Sequence, residues 1–174
     1  RDQPRSRGLE MCIRDSCESM CCAYAAQYKV PAKIIRLTQT FGPGVDYNDG
    51  RIFAEFARCA KEKKNIVLMT QGETERCYLY TADAVEAILV VLLDGAAGQA
   101  YTAANPKTYC SILQMAQDFA KENDISVEIA AKDVSKLGYA DTLYMKLNTD
   151  KIEKLGWKPK VGLMEMFRRM MEAM

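Results

Sequence analysis

The sequence predicts an α/β fold, and three observations carry that expectation. Met20, Cys21, Tyr24, Ala25 and Tyr28 recur at helical spacing and stop at Pro31. The β-branched run Ile34-Ile35-Arg36-Leu37 follows at once, as expected of a buried parallel strand reached from that helix. The order then repeats. Ile52, Phe53, Phe56, Ala57 and Ala60 stripe a second helix ending in Lys61-Glu62-Lys63-Lys64, and Ile66-Val67-Leu68-Met69 reads as the next strand.

The remaining elements follow in chain order. Phe41-Gly42-Pro43-Gly44 is a turn, with a loop to about Asp49. Gln71-Gly72 turns the chain into a short strand from Cys77 to Tyr80. Asp83 is expected to cap a helix running through Val85, Ile88, Leu89 and Leu92 to Asp94-Gly95. Gln99 to Ala103 is extended, and Ser111-x-x-Gln114 is a capping-box pattern ahead of Ile112, Met115, Ala116 and Phe119. Ser126 to Ile129 alternates as a strand, and residues 132–146 read as an exposed loop. A short helix capped near Asn148 or Thr149 ends at Gly156. A final helix within Val161 to Met174 presents Leu163, Met166, Phe167, Met170 and Met171 on one face, read as core packing.

Composition narrows the function. The charges nearly cancel, 24 Lys+Arg against 23 Asp+Glu, so neither nucleic acid nor an anionic membrane is expected as a partner. The longest apolar run, Ala87 to Leu93, falls far short of the roughly 20 residues that span a bilayer, and a cytoplasmic location is expected. With no histidine, Ser-His and Cys-His nucleophiles are excluded. Six of the seven cysteines, Cys17, Cys21, Cys22, Cys59, Cys77 and Cys110, sit in periodic apolar stretches without a Cys-x-x-Cys pair. They read as reduced core thiols, and no metal site is expected.

Residues 1–16 lack apolar periodicity and include Met11-Cys12-Ile13-Arg14-Asp15-Ser16, which resembles a translated sequencing-adapter end. They are expected to form a non-native or disordered tail, with natural sequence missing upstream. A strand such as Ile34–Leu37 expects parallel neighbours on both edges, so this chain alone is expected to be poorly stable.

Four segments resemble the extended short-chain dehydrogenase/reductase superfamily, in its nucleotide-sugar epimerase, dehydratase and decarboxylase branch. Arg36-Leu37-Thr38-Gln39-Thr40-Phe41-Gly42-Pro43 is similar to the family's Arg-Leu-x-Asn-x-Tyr/Phe-Gly-Pro strand and turn. Gly72-Glu73-Thr74-Glu75-Arg76-Cys77-Tyr78, with Asp83 after it, resembles Gly-x-x-x-Arg-x-Tyr-x-x-Val-x-Asp, and Leu155-Gly156-Trp157-Lys158-Pro159 resembles the closing Leu-Gly-Trp-x-Pro. Asp49-Gly50-Arg51-Ile52-Phe53 is similar to the start of the substrate-domain helix.

The resemblance implies the carboxyl-terminal part of a Rossmann-type fold plus a smaller α/β substrate-binding domain. Residues 17–45 would be the remnant of the NAD-binding domain, and 46–174 the substrate-binding region with returning Rossmann elements. It implies a parent that is a lyase or isomerase of polysaccharide biosynthesis and a homodimer. The parent would use NAD for 4,6-dehydration, 4-epimerisation or decarboxylation of a UDP-, dTDP- or CDP-sugar. The glycine-rich NAD turn and the catalytic Tyr-x-x-x-Lys occur nowhere in the 174 residues. No catalytic residue is therefore expected here, those lying upstream of Cys17, and the fragment is expected to be inactive.

By the same resemblance Leu37 and Thr38 face the nicotinamide, and Gln39, Arg51, Arg76 and Tyr78 face the nucleotide diphosphate sugar. A planar guanidinium suits a diphosphate, which makes Arg76 the leading candidate; pairing with Glu73 or Glu75 is its alternative. Tyr78 serves equally as core packing. Arg51 at a helix start is poorly placed for the helix dipole. Gln39 stands where relatives carry asparagine, and Asp133 to Tyr144 is where specificity is expected to lie. The Arg76 strand and the Arg36-to-Pro43 segment are expected to form opposite walls of one pocket. The competing readings are a non-catalytic nucleotide-sugar-binding or regulatory module, and an unrelated α/β interaction domain.

Overall fold

A computed structural model describes residues 7–130 and 142–174, with side chains from Ile13 onward. The first element, α1 (Arg7–Tyr28), begins ten residues before Cys17. Leu9, Glu10, Met11 and Arg14 are good helix formers, and no proline after Pro4 stops the helix from extending upstream. β1 (Ile34–Leu37) and β2 (Gln39–Phe41) follow with only Thr38 between them, then α2 (Ile52–Lys61), β3 (Ile66–Leu68) and β4 (Glu75–Tyr80). Next come α3 (Thr81–Asp94), β5 (Ala100–Ala103), β6 (Asn105–Ser111), α4 (Ile112–Asn123) and β7 (Val127–Ile129). After residue 141 the chain forms β8 (Tyr144–Met145), α5 (Asp150–Glu153) and α6 (Leu163–Ala173). Most of the expected 132–146 loop, including Lys132 and Lys136, lies outside the described residues.

The strands pair as three groups: β1 with β5, β3 with β7, and a sheet in which β4 is central. β2 lies parallel to β4 with Gln39 opposite Tyr78, and β6 runs antiparallel on the other side with Arg76 opposite Cys110. β8 adds parallel to the amino end of β4, pairing Glu75 with Tyr144 and Arg76 with Met145. One edge of β4 is thus divided between β8 and β2.

Side chains alternate across a strand, so β4 separates two cores. Tyr78 and Tyr80 face a large cluster built from α2, α4 and α6, in which Phe41 stacks on Phe53 at 4.5 Å and Phe119 meets Phe167 at 4.6 Å. Leu79 faces a smaller cluster of Ala84, Ala87, Val91, Tyr101, Ile152 and Trp157. Burying each large apolar side chain contributes roughly 1.5–3 kcal/mol, and the expected stripes of α2 and α6 are the ones buried.

Asp83 is 3% exposed, but it does not cap its helix. Its Oδ2 accepts from the backbone N–H of Lys160 (2.9 Å) and of Val161 (3.1 Å), while its carbonyl accepts from Trp157 Nε1 (3.1 Å). The closing Leu-Gly-Trp-x-Pro segment is thereby pinned to the start of α3. Ser111 does cap α4, accepting from Gln114 N–H at 3.0 Å.

The β1–β5 pair shows what the fold leaves open. Ile35 packs into the smaller cluster beside α3, and Arg36, facing the other way, pairs with Glu18 of α1. The two helices therefore flank opposite faces of β1. Among the described residues no strand covers β1's second edge. On the two flanking helices, Met20, Tyr24 and Tyr28 of α1 and Val85, Ile88, Leu89, Leu92 and Leu93 of α3 are exposed. The core-thiol expectation also needs correcting. The six thiols are free, but Cys17 and Cys22 are exposed on α1 and only Cys77 is fully buried.

Candidate functional site

The candidate residues gather where β1 hands over to β2 alongside β4. Leu37, 43% exposed, ends β1 at its carboxyl end, the end at which open α/β sheets bind ligands. Thr38 bridges the strands: its N–H donates to Ala103 O (3.2 Å) and its hydroxyl to Cys77 O (2.8 Å). Its hydroxyl is therefore committed to the fold, leaving its remaining surface for a ligand.

Gln39 and Arg76 meet directly, with the arginine Nη1 donating to Gln39 Oε1 at 3.4 Å. This contact corrects the expectation of opposite pocket walls, because the two segments are adjacent strands of one sheet. The alternative pairing of Arg76 with Glu73 or Glu75 does not occur, and Glu75 bonds the Tyr109 hydroxyl instead. Among the described residues, Arg76 has no carboxylate partner. Its Nε is sealed from solvent and makes no hydrogen bond.

Tyr78 is fully buried, edge-on to Phe41 at 5.9 Å, so the packing half of its expected role is present. Its hydroxyl is also sealed and also unpartnered among the described residues. Burial raises its pKa above the ordinary tyrosine value, and the nearby Arg76 charge opposes that rise. The β4–β6 register shifts between Arg76 and Tyr78, with Tyr78 opposite Asn105, so the extra residues lie on β6. Thr108 fills the bulge: its hydroxyl accepts from Tyr78 N–H (2.8 Å) and lies 2.7 Å from Asn105 O. Two buried polar atoms without partners, on residues two positions apart in one strand, are unusual in a folded protein.

Arg51 stands apart. Its guanidinium grips Asp49, with Nε 3.0 Å from each carboxylate oxygen, and its Cζ lies 4.7 Å over the Phe53 ring. The pairing lowers the Asp49 pKa and raises that of Arg51. The Phe53–Phe41 stack links it to Tyr78. An open cleft of about 260 Å³ near the amino end of β4 is lined by Gln71, Gly72, Glu73, Glu75, Ser111, Leu113 and Tyr144. It carries carboxylates and no cation, the wrong sign for a phosphate. Sequence reasoning missed Cys110, the direct cross-strand partner of Arg76, because β6 contains Pro106 and reads as irregular.

Arg76 thus lies beside the Gln39 amide with no carboxylate partner among the described residues, and the Tyr78 hydroxyl two positions on is buried in the aromatic cluster. Residues 16–105 match the NAD dependent epimerase/dehydratase family. UDP-glucuronic acid decarboxylase 1 of Xenopus tropicalis is 32% identical over 152 residues, covering 85% of this chain and 34% of that protein. The dTDP-D-glucose 4,6-dehydratase of Mus musculus is 28% identical over 155 residues, covering 86% of this chain and 42% of the other. Among solved structures, the UDP-glucose 4-epimerase of Thermotoga maritima with UDP-glucose superposes with a TM-score of 0.77 at 21% identity, covering 91% of this chain and 50% of that one. The Bacillus anthracis dTDP-glucose 4,6-dehydratase in complex with NAD gives 0.75 at 18%, covering 90% and 48%. These structures share the Rossmann-type α/β fold, and the chain spans half or less of the length of every relative named here. The motifs, the fold and the match over more than half the chain agree: this chain belongs to the NAD-dependent epimerase/dehydratase family.

Proposed function

We propose that this chain is the substrate-side part of an NAD-dependent nucleotide-sugar enzyme, in which Arg76, with Gln39 and Tyr78, holds the diphosphate. The observation that carries this reading is the pair of unpartnered polar atoms, Arg76 Nε and Tyr78 Oη, beside a guanidinium that no carboxylate neutralises. A buried donor left unsatisfied costs about 1–3 kcal/mol, and a phosphate oxygen supplies the missing acceptor. Arg51 would assist by exchanging Asp49 for phosphate, a cheap step because exposed ion pairs contribute only about 0–1 kcal/mol.

NAD, when bound, accepts a hydride from the sugar and returns it. The residues present fit one side of that group: Leu37 offers exposed apolar surface at the carboxyl end of β1, with Thr38 beside it. The reaction is 4,6-dehydration, 4-epimerisation or decarboxylation of a UDP-, dTDP- or CDP-linked sugar in polysaccharide biosynthesis, and the parent is a cytoplasmic homodimer. No helix among the described residues is long and apolar enough to cross a membrane. The chain alone is expected to be inactive, since it contains neither the glycine turn nor Tyr-x-x-x-Lys. That same absence favours a second reading, a non-catalytic nucleotide-sugar binder. Genomic DNA upstream of the Cys17 codon decides between them: an open frame encoding both motifs establishes the enzyme.

Calorimetric titration with UDP, dTDP and CDP tests the site. Arg76→Ala is expected to weaken binding by roughly ten- to a hundredfold, the worth of one charge-assisted bond. Equal affinity in the wild type and the variant would overturn the assignment.

A further inference from the structure

We propose that Arg58 is the positioning residue for Arg51: it braces the loop ahead of α2, so that the Arg51 guanidinium can leave Asp49 for a phosphate oxygen while the loop keeps its shape. The inference rests on the diphosphate reading above and adds a residue to it. Arg51 is the N-cap of α2, extended at φ −81° and ψ 150°, so its position is set by the loop that precedes it. Arg58 ties that loop down. From the last turn of α2, about two helical turns beyond Arg51, Arg58 Nη1 donates to Tyr47 O at 2.6 Å and to Asp49 O at 2.9 Å. Side chains on a helix lean toward its amino end, which carries the half-buried Arg58 back over the loop.

The same contacts let the ion pair open without unravelling the loop. The Asp49 carboxylate holds Arg51 in two ways, accepting from its backbone N–H at 2.8 Å and from its guanidinium, with Nε 3.0 Å from each oxygen. When Arg51 turns to a phosphate only the guanidinium bonds break, and the backbone bond stays. The Asp49 pKa is lowered chiefly by the Arg51 side-chain bonds, and the Arg58 charge acts in the same direction, so the released carboxylate still lies in the field of a fixed cation. Without Arg58, the Tyr47 and Asp49 carbonyls lose their charged donor. What then ties the loop are two local turns, Asn48 N–H to Asp46 Oδ1 (2.7 Å) and Asp49 N–H to Asp46 O (3.1 Å), and the exposed bond from the Tyr47 hydroxyl to Glu62 Oε1 (2.6 Å).

The test is a double-mutant cycle in calorimetric UDP titrations of the 174-residue chain, with Arg51→Ala, Arg58→Ala and the two combined. Each single variant is expected to bind UDP about tenfold more weakly than the wild type, and the double variant no more weakly than Arg51→Ala, because the brace acts through Arg51. A loop contact unconnected with Arg51 would lower affinity equally in both backgrounds. If loss of native Trp157 emission shows that Arg58→Ala does not fold, Arg58→Gln, which keeps an amide donor without the charge, replaces it in the cycle. Losses that multiply to about a hundredfold in the double variant overturn the positioning role, as does wild-type affinity on replacing Arg58. Wild-type affinity in Arg51→Ala together with weakened binding in Arg76→Ala overturns the brace and spares the diphosphate reading. Absence of UDP binding by the wild type overturns both.

Discussion

Replacing Asp83 with alanine should be among the most damaging single changes in this chain outside the aromatic core, and its size can be worked from the geometry. One carboxylate oxygen accepts two backbone N–H groups, from Lys160 at 2.9 Å and Val161 at 3.1 Å. Hydrogen bonds to charged groups are worth about 1.5–3 kcal/mol each, so Asp83→Ala is expected to cost about 3–6 kcal/mol. The bond from Trp157 goes to the Asp83 backbone carbonyl and survives the substitution. Asp83→Asn keeps an acceptor without the charge and should lose about half as much. In a domain of this size each kcal/mol lowers Tm by about 2–4 °C, so the alanine variant should melt at least about 6 °C lower. The single tryptophan, Trp157, is 1% exposed and sits within the pinned segment. Its emission shift on urea or thermal unfolding therefore reports this clamp directly. An Asp83→Ala protein within about 1 kcal/mol of the wild type would refute the claim that the clamp holds the closing segment.

Three further outcomes follow from the same geometry. The unfolded chain ionises Tyr78 near pH 10 and the folded chain does so only at higher pH, so the unfolded state sheds its proton first. Stability should fall above about pH 10 by about 1.4 kcal/mol per pH unit for this group, and Tyr78→Phe should flatten that slope in urea midpoints measured across alkaline pH. Gly72 has φ +68°, and an added Cβ would lie 2.8 Å from Leu113 N; Gly72→Ala should cost about 1–3 kcal/mol by chemical denaturation, and a neutral result would contradict the turn geometry. The exposed apolar residues of α1 and α3 should bind a hydrophobic dye in the native chain. Leu89→Lys with Leu93→Lys should reduce that signal while changing stability by less than about 0.5 kcal/mol each, and a sharp melt without dye binding would count against the open face.

Where local chemistry decides an element, the sequence was legible. The stripes of α2 and α6, the Ser111 cap and the β-branched β1 all depend on residues within a few positions of one another. β2 and β6 were not legible. Gln39–Phe41 is three residues long, and Asn105–Ser111 contains Pro106 and Lys107, so both owe their strand character to pairing with β4 rather than to propensity. The site shows the same division. Arg76 could be singled out from its motif, but its contact with Gln39 spans 37 positions, and the absence of a carboxylate partner needed coordinates. Asp83 was expected to act locally as a cap, and instead it acts across 77 positions. The exposed cysteines of α1 show a limit of periodicity: it identifies the apolar side of a helix, not whether anything in the same chain covers it.

The divided edge of β4 has a mechanical consequence. β8 grips Glu75 and Arg76 through two register pairs and a bond from Glu75 N–H to the Leu143 carbonyl, whereas β2 holds Tyr78 to Tyr80 within the aromatic core. These attachments make a joint with one short leaf and one anchored leaf. Peeling the short leaf away would loosen the backbone beside Arg76 and leave the anchored one zipped, so the guanidinium can gain room at the expense of a few edge bonds instead of the core.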